Sequence, residues 1–418
     1  MTSMMIAGFF LLMALAVPIA HAMLGGTAFA LWMEGRPMAV LAQRLYSPTQ
    51  SFPMLAVPFF ILAGSLMMQG RFGEYLVNIA RLFVGNLRGG LGQVSIIGSV
   101  MFGGVSGSAV ADATAMGNAL IPVQKKAGYP GGFAAAVNAS SSTISVLIPP
   151  SIPLILYGLV ANVSIIDLFV AGILPGIMLG VGMFGAVWLV ARQKGLPRSP
   201  LPGGFRAFRS QLLMAIPALL MPVFIIGTLR FGVATPTEVS VMAVAYALVV
   251  CGMIYRDLTW RGAWQAAVET AMMTGAVMLI IMASSTIQWL LTAEQVPQNL
   301  ALWVTGTLSE PWLIILALNI VMLVVGAFLD LPAAVLLLGP LFVGIGQAIG
   351  MDPVQLGLMM VVNLSIGLYT PPVGTTLFIS AGIARVGIGE TVRALIPFYL
   401  VALLVLLLIS YVPALTIY

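Results

Sequence analysis

Two apolar stretches of this chain are interrupted by a Pro-Pro pair set among glycines and hydroxyl residues. Those interruptions limit the possible folds more than any other feature. The first stretch, 138–157, reads NASSSTISVLIPPSIPLILY and breaks at Pro149-Pro150. The second, 363–378, reads NLSIGLYTPPVGTTLF and breaks at Pro371-Pro372. Proline lacks the N–H of a helix interior and turns the preceding residue away from helix, so the first ladder stops at Ile148. In water this would be an ordinary loop. The chain, however, is 61% hydrophobic and 7% charged, against about 25% charged in a soluble domain. The breaks belong inside a membrane, where freed backbone groups are tolerated only if they are buried or coordinate something. Two broken membrane helices, one per half, point to the binding centre of a transporter.

About a dozen apolar stretches, each suited to a hydrocarbon core of roughly 30 Å, fit into 418 residues. None shows the alternation of an outer-membrane barrel. The fold class that follows is an all-α, multi-pass membrane protein. The net charge of +5 comes from basic residues scattered through short loops, which does not suggest nucleic acid. A single cysteine, Cys251, excludes an internal disulfide and a cysteine-rich metal site. The single histidine, His21, reads as a helix-packing or interfacial residue, with a proton relay as the alternative. Nothing matches HExxH or GxSxG, and no histidine base stands near the serines, so an intramembrane enzyme is disfavoured. Without GxxxxGK[ST] or a soluble domain, an ATP-driven pump is disfavoured too. Met4 to Ala22 ends like a signal-peptidase site but lacks a basic start, and reads as a retained first helix.

The halves carry the same parts in the same order. Residues 1–195 supply apolar stretches at 4–20, 23–33 and 52–69, and an interfacial amphipathic piece at 71–88. A paired segment at about 89–123 turns through GGVSGSAVAD, a broken helix covers about 130–161, and a closing helix spans 165–191. A basic, Pro- and Gly-rich linker, 196–209, follows on the cytoplasmic side. Residues 210–418 supply helices at 211–229 and 235–255, an amphipathic piece at 260–271, a helix at 272–292 and a peripheral piece at 293–310. The paired segment is about 311–349, the broken helix about 355–383 and the last helix 390–415. An offset of 222 superposes Pro149 on Pro371, Pro150 on Pro372 and Pro175 on Pro397.

In the first paired segment, 89–104 and 108–123 are each too short to cross comfortably, so the pair reads as a re-entrant hairpin. Arg88, Lys125 and Lys126 put the open end of the first in the cytoplasm by the positive-inside rule. All of the 17 Lys and Arg then lie inside except Arg36, Arg44 and Arg230. The second hairpin opens from the outside, which makes the repeats inverted and leaves the C-terminus outside.

Each break exposes N–H groups at one half-helix start and C=O groups at the other half-helix end. Carbonyls and hydroxyls suit Na⁺, and the N-termini suit an anionic substrate. In the first half the ion candidates are Gly104, Ser106, Gly107 and Ser108 at the turn and Ser145 before the break; Ser142, Thr143, Pro149 and Pro150 are the substrate candidates. In the second half the ion candidates are Gly326, Asp330, Gly367, Thr370 and Gly374; Ser365, Pro371, Pro372, Thr375 and Thr376 are the substrate candidates. The alternative for any single serine is close helix packing with its hydroxyl bonded back to the backbone. Asp112 and Asp330 are carboxylates inside the membrane and so functional candidates, Asp330 also being placed to cap a helix. Glu238, in TPTE, reads as a capping residue.

Six segments carry a resemblance: 102–117 (FGGVSGSAVADATAMG), 148–157 (IPPSIPLILY), 168–175 (LFVAGILP), 235–238 (TPTE), 326–330 (GAFLD) and 363–374 (NLSIGLYTPPVG). Together they resemble the large membrane subunit of tripartite ATP-independent periplasmic (TRAP) transporters, over nearly the whole chain. The resemblance implies an elevator transporter of the ion-transporter superfamily in a bacterial or archaeal cytoplasmic membrane, coupled to Na⁺. It implies a separate small four-helix membrane subunit and a periplasmic binding protein that delivers a carboxylate such as a C4-dicarboxylate, keto acid or sialic acid. It places sodium between each hairpin tip and its neighbouring break: Ser106 and Ser108 with Ser145, and Gly326 and Asp330 with Gly367 and Thr370. The run Ser140-Ser141-Ser142 departs from the small apolar residues usual there. The alternative is a stand-alone Na⁺- or H⁺-coupled carboxylate transporter of the same superfamily.

Overall fold

The computed structural model describes residues 2–70, 72–199, 205–308 and 310–416, with side chains described for all of these except 205–208, 210, 211 and 218. Among the described residues there are helices and no strands. Residues 200–204 of the expected linker lie outside the described residues.

The first half begins with α1 (Thr2–Ala14), α2 (Ile19–Met33) and the short α3 (Ala39–Tyr46), followed by α4 (Ala56–Met68) and the amphipathic α5 (Phe72–Val84). The hairpin is α6 (Gly90–Ser106) and α7 (Ala109–Lys126); the broken helix is α8 (Gly131–Ser141) and α9 (Ile152–Ala161); α10 (Ile165–Gln193) closes the half. The second half repeats the order. It runs α11 (Phe205–Arg230), α12 (Pro236–Val249), α13 (Trp260–Ala293) and α14 (Val296–Thr307). Then come the hairpin α15 (Pro311–Phe328) and α16 (Leu331–Ala348), the broken helix α17 (Pro353–Gly367) and α18 (Thr375–Ala384), and α19 (Ile388–Tyr411).

The starts and stops follow local chemistry. Thr235 and Glu238 close a capping box on α12, with Pro236 at the first helical position. Asp352 accepts from Val354 N at 2.8 Å and caps α17. Gly107 ends α6 at φ +58°, a conformation that glycine adopts without strain.

Among the described residues seven helices, α10 to α13, α15, α16 and α19, are long and apolar enough to cross a membrane, α12 with its added π-turn and α11 over residues 212–230. The 39–50 and 52–68 segments form an eighth candidate, bent by 65°. The dozen stretches expected from hydropathy thus include shorter pieces. The arm α6 and the half-helices α9, α17 and α18 are 10 to 17 residues long because turns and prolines cut them.

Two boundaries differ from expectation. The amphipathic 260–271 piece is not separate: α13 runs unbroken for 34 residues. An amphipathic segment changes the medium its side chains meet, but no proline or capping group stops the backbone at Ala271. The first broken helix loosens early, into a 3₁₀ turn at Ser142–Val146. There the hydroxyls of Ser142, Thr143 and Ser145 donate to carbonyls three residues back, which competes with the regular ladder.

The half-helices sit at the centre. Every residue from Phe133's successor Ala134 to Gly158 is buried, as is every residue of α17 from Val354 on. A helix buried all round belongs in the interior of a bundle. The hairpins, α10 and α19 enclose them; α4 and α11 lie along the side of the first hairpin, and α13 packs on α16 of the second.

Candidate functional site

At the first hairpin tip, backbone meets backbone. A Cβ on Gly103 would lie 2.7 Å from Ser145 Cα, and one on Gly107 would collide with the Pro150 carbonyl. Ile152 N donates to Gly107 O at 3.5 Å. Ser108 caps α7, its Oγ accepting from Ala111 N at 3.4 Å. The first tip and first break therefore form one unit. Gly104 is placed elsewhere, its α-carbon face packing on Pro222 of α11.

The second tip repeats the arrangement. Gly367 packs directly on the Gly326 carbonyl, and Val373 N donates to Ala327 O at 3.3 Å. Asp330 stands at the N-cap of α16, but its carboxylate accepts no capping bond and Oδ1 is buried without a partner among the described residues. Gly374 begins α18, and Thr376 N donates to Leu368 O at 2.9 Å.

Thr376 also joins the two breaks. Its Oγ1 lies 3.1 Å from Ala139 O on α8 and 2.9 Å from Leu368 O. Asn138 strengthens this seam: its Nδ2 donates to Ala113 O at 2.8 Å and to Ser380 Oγ at 2.9 Å.

The hydroxyls at the breaks have committed their protons. Ser142 donates to Ala139 O at 2.9 Å, Thr143 to Ser140 O at 2.7 Å and Ser145 to Ser142 O at 2.6 Å. Ser365 donates to Val362 O and Thr370 to Ile366 O, both at 2.7 Å. Such an oxygen offers lone pairs and no proton, which suits a cation ligand better than an anion donor. Thr375 differs, since its buried Oγ1 has no partner among the described residues. Pro149 and Pro150 are buried, Pro371 and Pro372 exposed, and both Pro-Pro bonds are cis.

Both tips open into one cavity of about 260 Å³. Gly107 and Ser108 come from the first tip, Asp330 and Leu331 from the second, and Val146, Ile152 and Leu368 from the breaks. The facing wall is Ile61 of α4 with Met273, Ala276, Val277 and Ile280 of α13. Among these residues Asp330 is the one charged group. The walls do not include the other ion and substrate candidates. A second cavity, about 400 Å³, adjoins through Ile61, Ser108, Val110, Ile152 and Met273, and adds Ser106, Thr114 and Glu269. The α13 wall was missed in the sequence, where Met, Ala and Val on a membrane helix carry no mark of their partner.

Asp112 lies apart from the cavity walls. It is fully buried, and neither carboxylate oxygen has a hydrogen-bond partner among the described residues. Ser99, the hydroxyl beside it, gives its proton to Ser141 Oγ at 3.0 Å.

Residues 6–415 match the family described as tripartite ATP-independent periplasmic transporter, DctM component. The chain is 36% identical to the C4-dicarboxylate TRAP transporter large permease protein DctM of Pseudomonas aeruginosa, over 90% of this chain and 87% of that one. It is likewise 36% identical to the 2,3-diketo-L-gulonate TRAP transporter large permease protein YiaN of Escherichia coli, over 97% and 95%. Its fold is similar to that of the Alcanivorax borkumensis YdaH transporter, with a TM-score of 0.59 at 14% identity over 88% of this chain and 86% of that one. A match across nearly the whole length, on a helical frame whose two hairpin tips meet two broken helices, makes this chain a multi-pass membrane protein of the DctM family, a family of transporters rather than enzymes.

Proposed function

We propose that the chain is the large permease subunit of a Na⁺-coupled importer of a small organic carboxylate. A periplasmic binding protein delivers the substrate, and a small four-helix membrane subunit completes the complex in the cytoplasmic membrane. Similarity to permeases for a C4-dicarboxylate and for diketogulonate supports this substrate class.

The observation that carries the reading is the shared cavity. Two hairpin tips and two breaks converge on it, and Asp330 is the one charged group in its described walls. A carboxylate entering there meets no Lys or Arg. Its charge is balanced by the helix N-termini of α7 and α16 and by cations bound beside the tips. The spent hydroxyls of Ser145 and Thr370, the tip oxygens of Ser106, Ser108 and Gly326, and the Asp330 carboxylate supply the hard oxygen donors that Na⁺ takes. Substrate and ion then support each other's binding, which is the basis of symport.

The division of the cavity wall supports an elevator mechanism. Hydrogen bonds join the tips to the breaks and the breaks to each other, whereas α4 and α13 face the cavity with the apolar side chains of Ile61, Met273, Ala276, Val277 and Ile280. Movement of the tips and breaks against these two helices carries the cavity across, with the C-terminus on the periplasmic side.

Proteoliposomes containing both membrane subunits, given loaded binding protein, test this reading. Uptake should need both that protein and an inward Na⁺ gradient. Equal uptake with K⁺ in place of Na⁺ would remove the coupling, and equal uptake of free substrate would favour a stand-alone transporter.

A further inference from the structure

Three cavities follow one another along α13. Glu269, Met272 and Met273 line the second, Met273 to Ile280 the central one, and Ile281 to Thr292 a third of about 450 Å³. At 1.5 Å per residue, Glu269 to Thr292 covers roughly 35 Å, which matches a hydrocarbon core of about 30 Å. The third cavity accordingly lies at one edge of the membrane. The ends of its other walls agree, since Asn162 terminates α9 and Arg44 and Ser47 terminate α3.

This cavity differs in chemistry from the other two. Arg44 is the one charged residue in its walls, and the acidic side chain found in each of the other cavities has no counterpart here. Ser47, Ser51, Ser284, Gln288 and Asn162 surround it with neutral polar groups. The Arg44 guanidinium lies 5.6 Å from the Trp289 ring centroid, a cation–π distance that holds it over the cavity. Its backbone is fixed as well, because Ser285 Oγ donates to Arg44 O at 2.6 Å. A planar fork of donors, anchored at both ends and free of a carboxylate partner in these walls, has the geometry for a carboxylate.

We infer that this third cavity is an outer vestibule that binds a carboxylate on Arg44 before the anion reaches the central cavity. The inference rests on the reading above for the side of the membrane and the class of anion. Gln288 connects the vestibule to the second hairpin, its Nε2 donating to Leu336 O on α16 at 3.2 Å. The occupied vestibule is thus in contact with an arm that also leads to Asp330.

Trp289 provides the readout. The purified subunit in detergent, without Na⁺ or binding protein, is titrated with succinate at constant ionic strength while tryptophan emission is followed. A saturable change is expected, absent in Trp289→Phe. It should shift about tenfold or more to higher succinate in Arg44→Gln, as for loss of a charge-assisted bond, with partial recovery in Arg44→Lys. Ser108→Ala, which alters the central cavity, should leave the midpoint in place. An unchanged midpoint in Arg44→Gln, or no saturable change in the wild type, overturns the vestibule. A signal that responds to Ser108→Ala but not to Arg44→Gln assigns the binding to the central cavity instead. Because no ion gradient is involved, loss of Na⁺ coupling in the uptake assay would leave this result standing.

Discussion

Ser108 and Asp330 stand 222 positions apart, each at the N-cap of the second arm of its hairpin, and both line the same central cavity. One offers a neutral oxygen that already accepts a backbone bond, the other a carboxylate with an unpartnered buried oxygen. Equivalent places in the two halves thus carry different charge.

That difference sets the first expectation. Asp330→Asn should reduce the Na⁺ dependence of uptake more than Ser108→Ala, because on the proposed reading it removes the one full charge in the walls of the central cavity. Both should still assemble with the small subunit. Wild-type Na⁺ dependence in the two variants, measured by uptake over a Na⁺ series, would take these residues out of the ion site.

Gly367 tests the contact of backbone with backbone. A methyl group there meets the Gly326 carbonyl, which cannot rotate away as a side chain would. Gly367→Ala should destabilise by about 1–3 kcal/mol. Gly185→Ala on α10, where nothing lies within 4 Å, should stabilise by about 0.5–1 kcal/mol as helix propensity improves. Thermal unfolding in detergent reads both, and equal effects would refute the close packing.

Asp112 invites the opposite trade. Burying a carboxylate without a partner is unfavourable, so Asp112→Asn should raise the midpoint of thermal unfolding. Uptake should fall, as expected where an unfavourable group is retained for function. A variant that unfolds earlier while transporting normally would make Asp112 purely structural.

The α13 wall is open to a steric test. Ala276→Trp should fill much of the 260 Å³ cavity and abolish uptake while leaving the protein folded and assembled. Retained uptake would place the substrate elsewhere.

How far the sequence could anticipate this depended on the range of each signal. Proline, and glycine in a left-handed turn, act on their own backbone, so the breaks at Pro149-Pro150 and Pro371-Pro372 and the tip at Gly107 could be read directly. The spent hydroxyl protons could not: Ser142 and Thr143 have the composition of anion donors, and only the direction of each O–H shows them to be acceptors. Gly104 likewise sits in the right motif yet faces Pro222 from a helix nearly 120 residues away. The continuity of α13 was hidden for another reason, since amphipathicity at 260–271 reports on solvent and lipid rather than on where a backbone ends.

One consequence of that continuity concerns mechanical compliance. The 39–50 and 52–68 pair is jointed instead, turning 65° between Gln50 and Phe52 with Pro48 and Pro53 on either side. A helix that runs unbroken for 34 residues can tilt but cannot change its length. A jointed one can fold and unfold at the elbow without breaking a rung. The two sides of the frame are therefore unequal springs, and a change in bilayer thickness would be taken up at Ser51 before it reached α13.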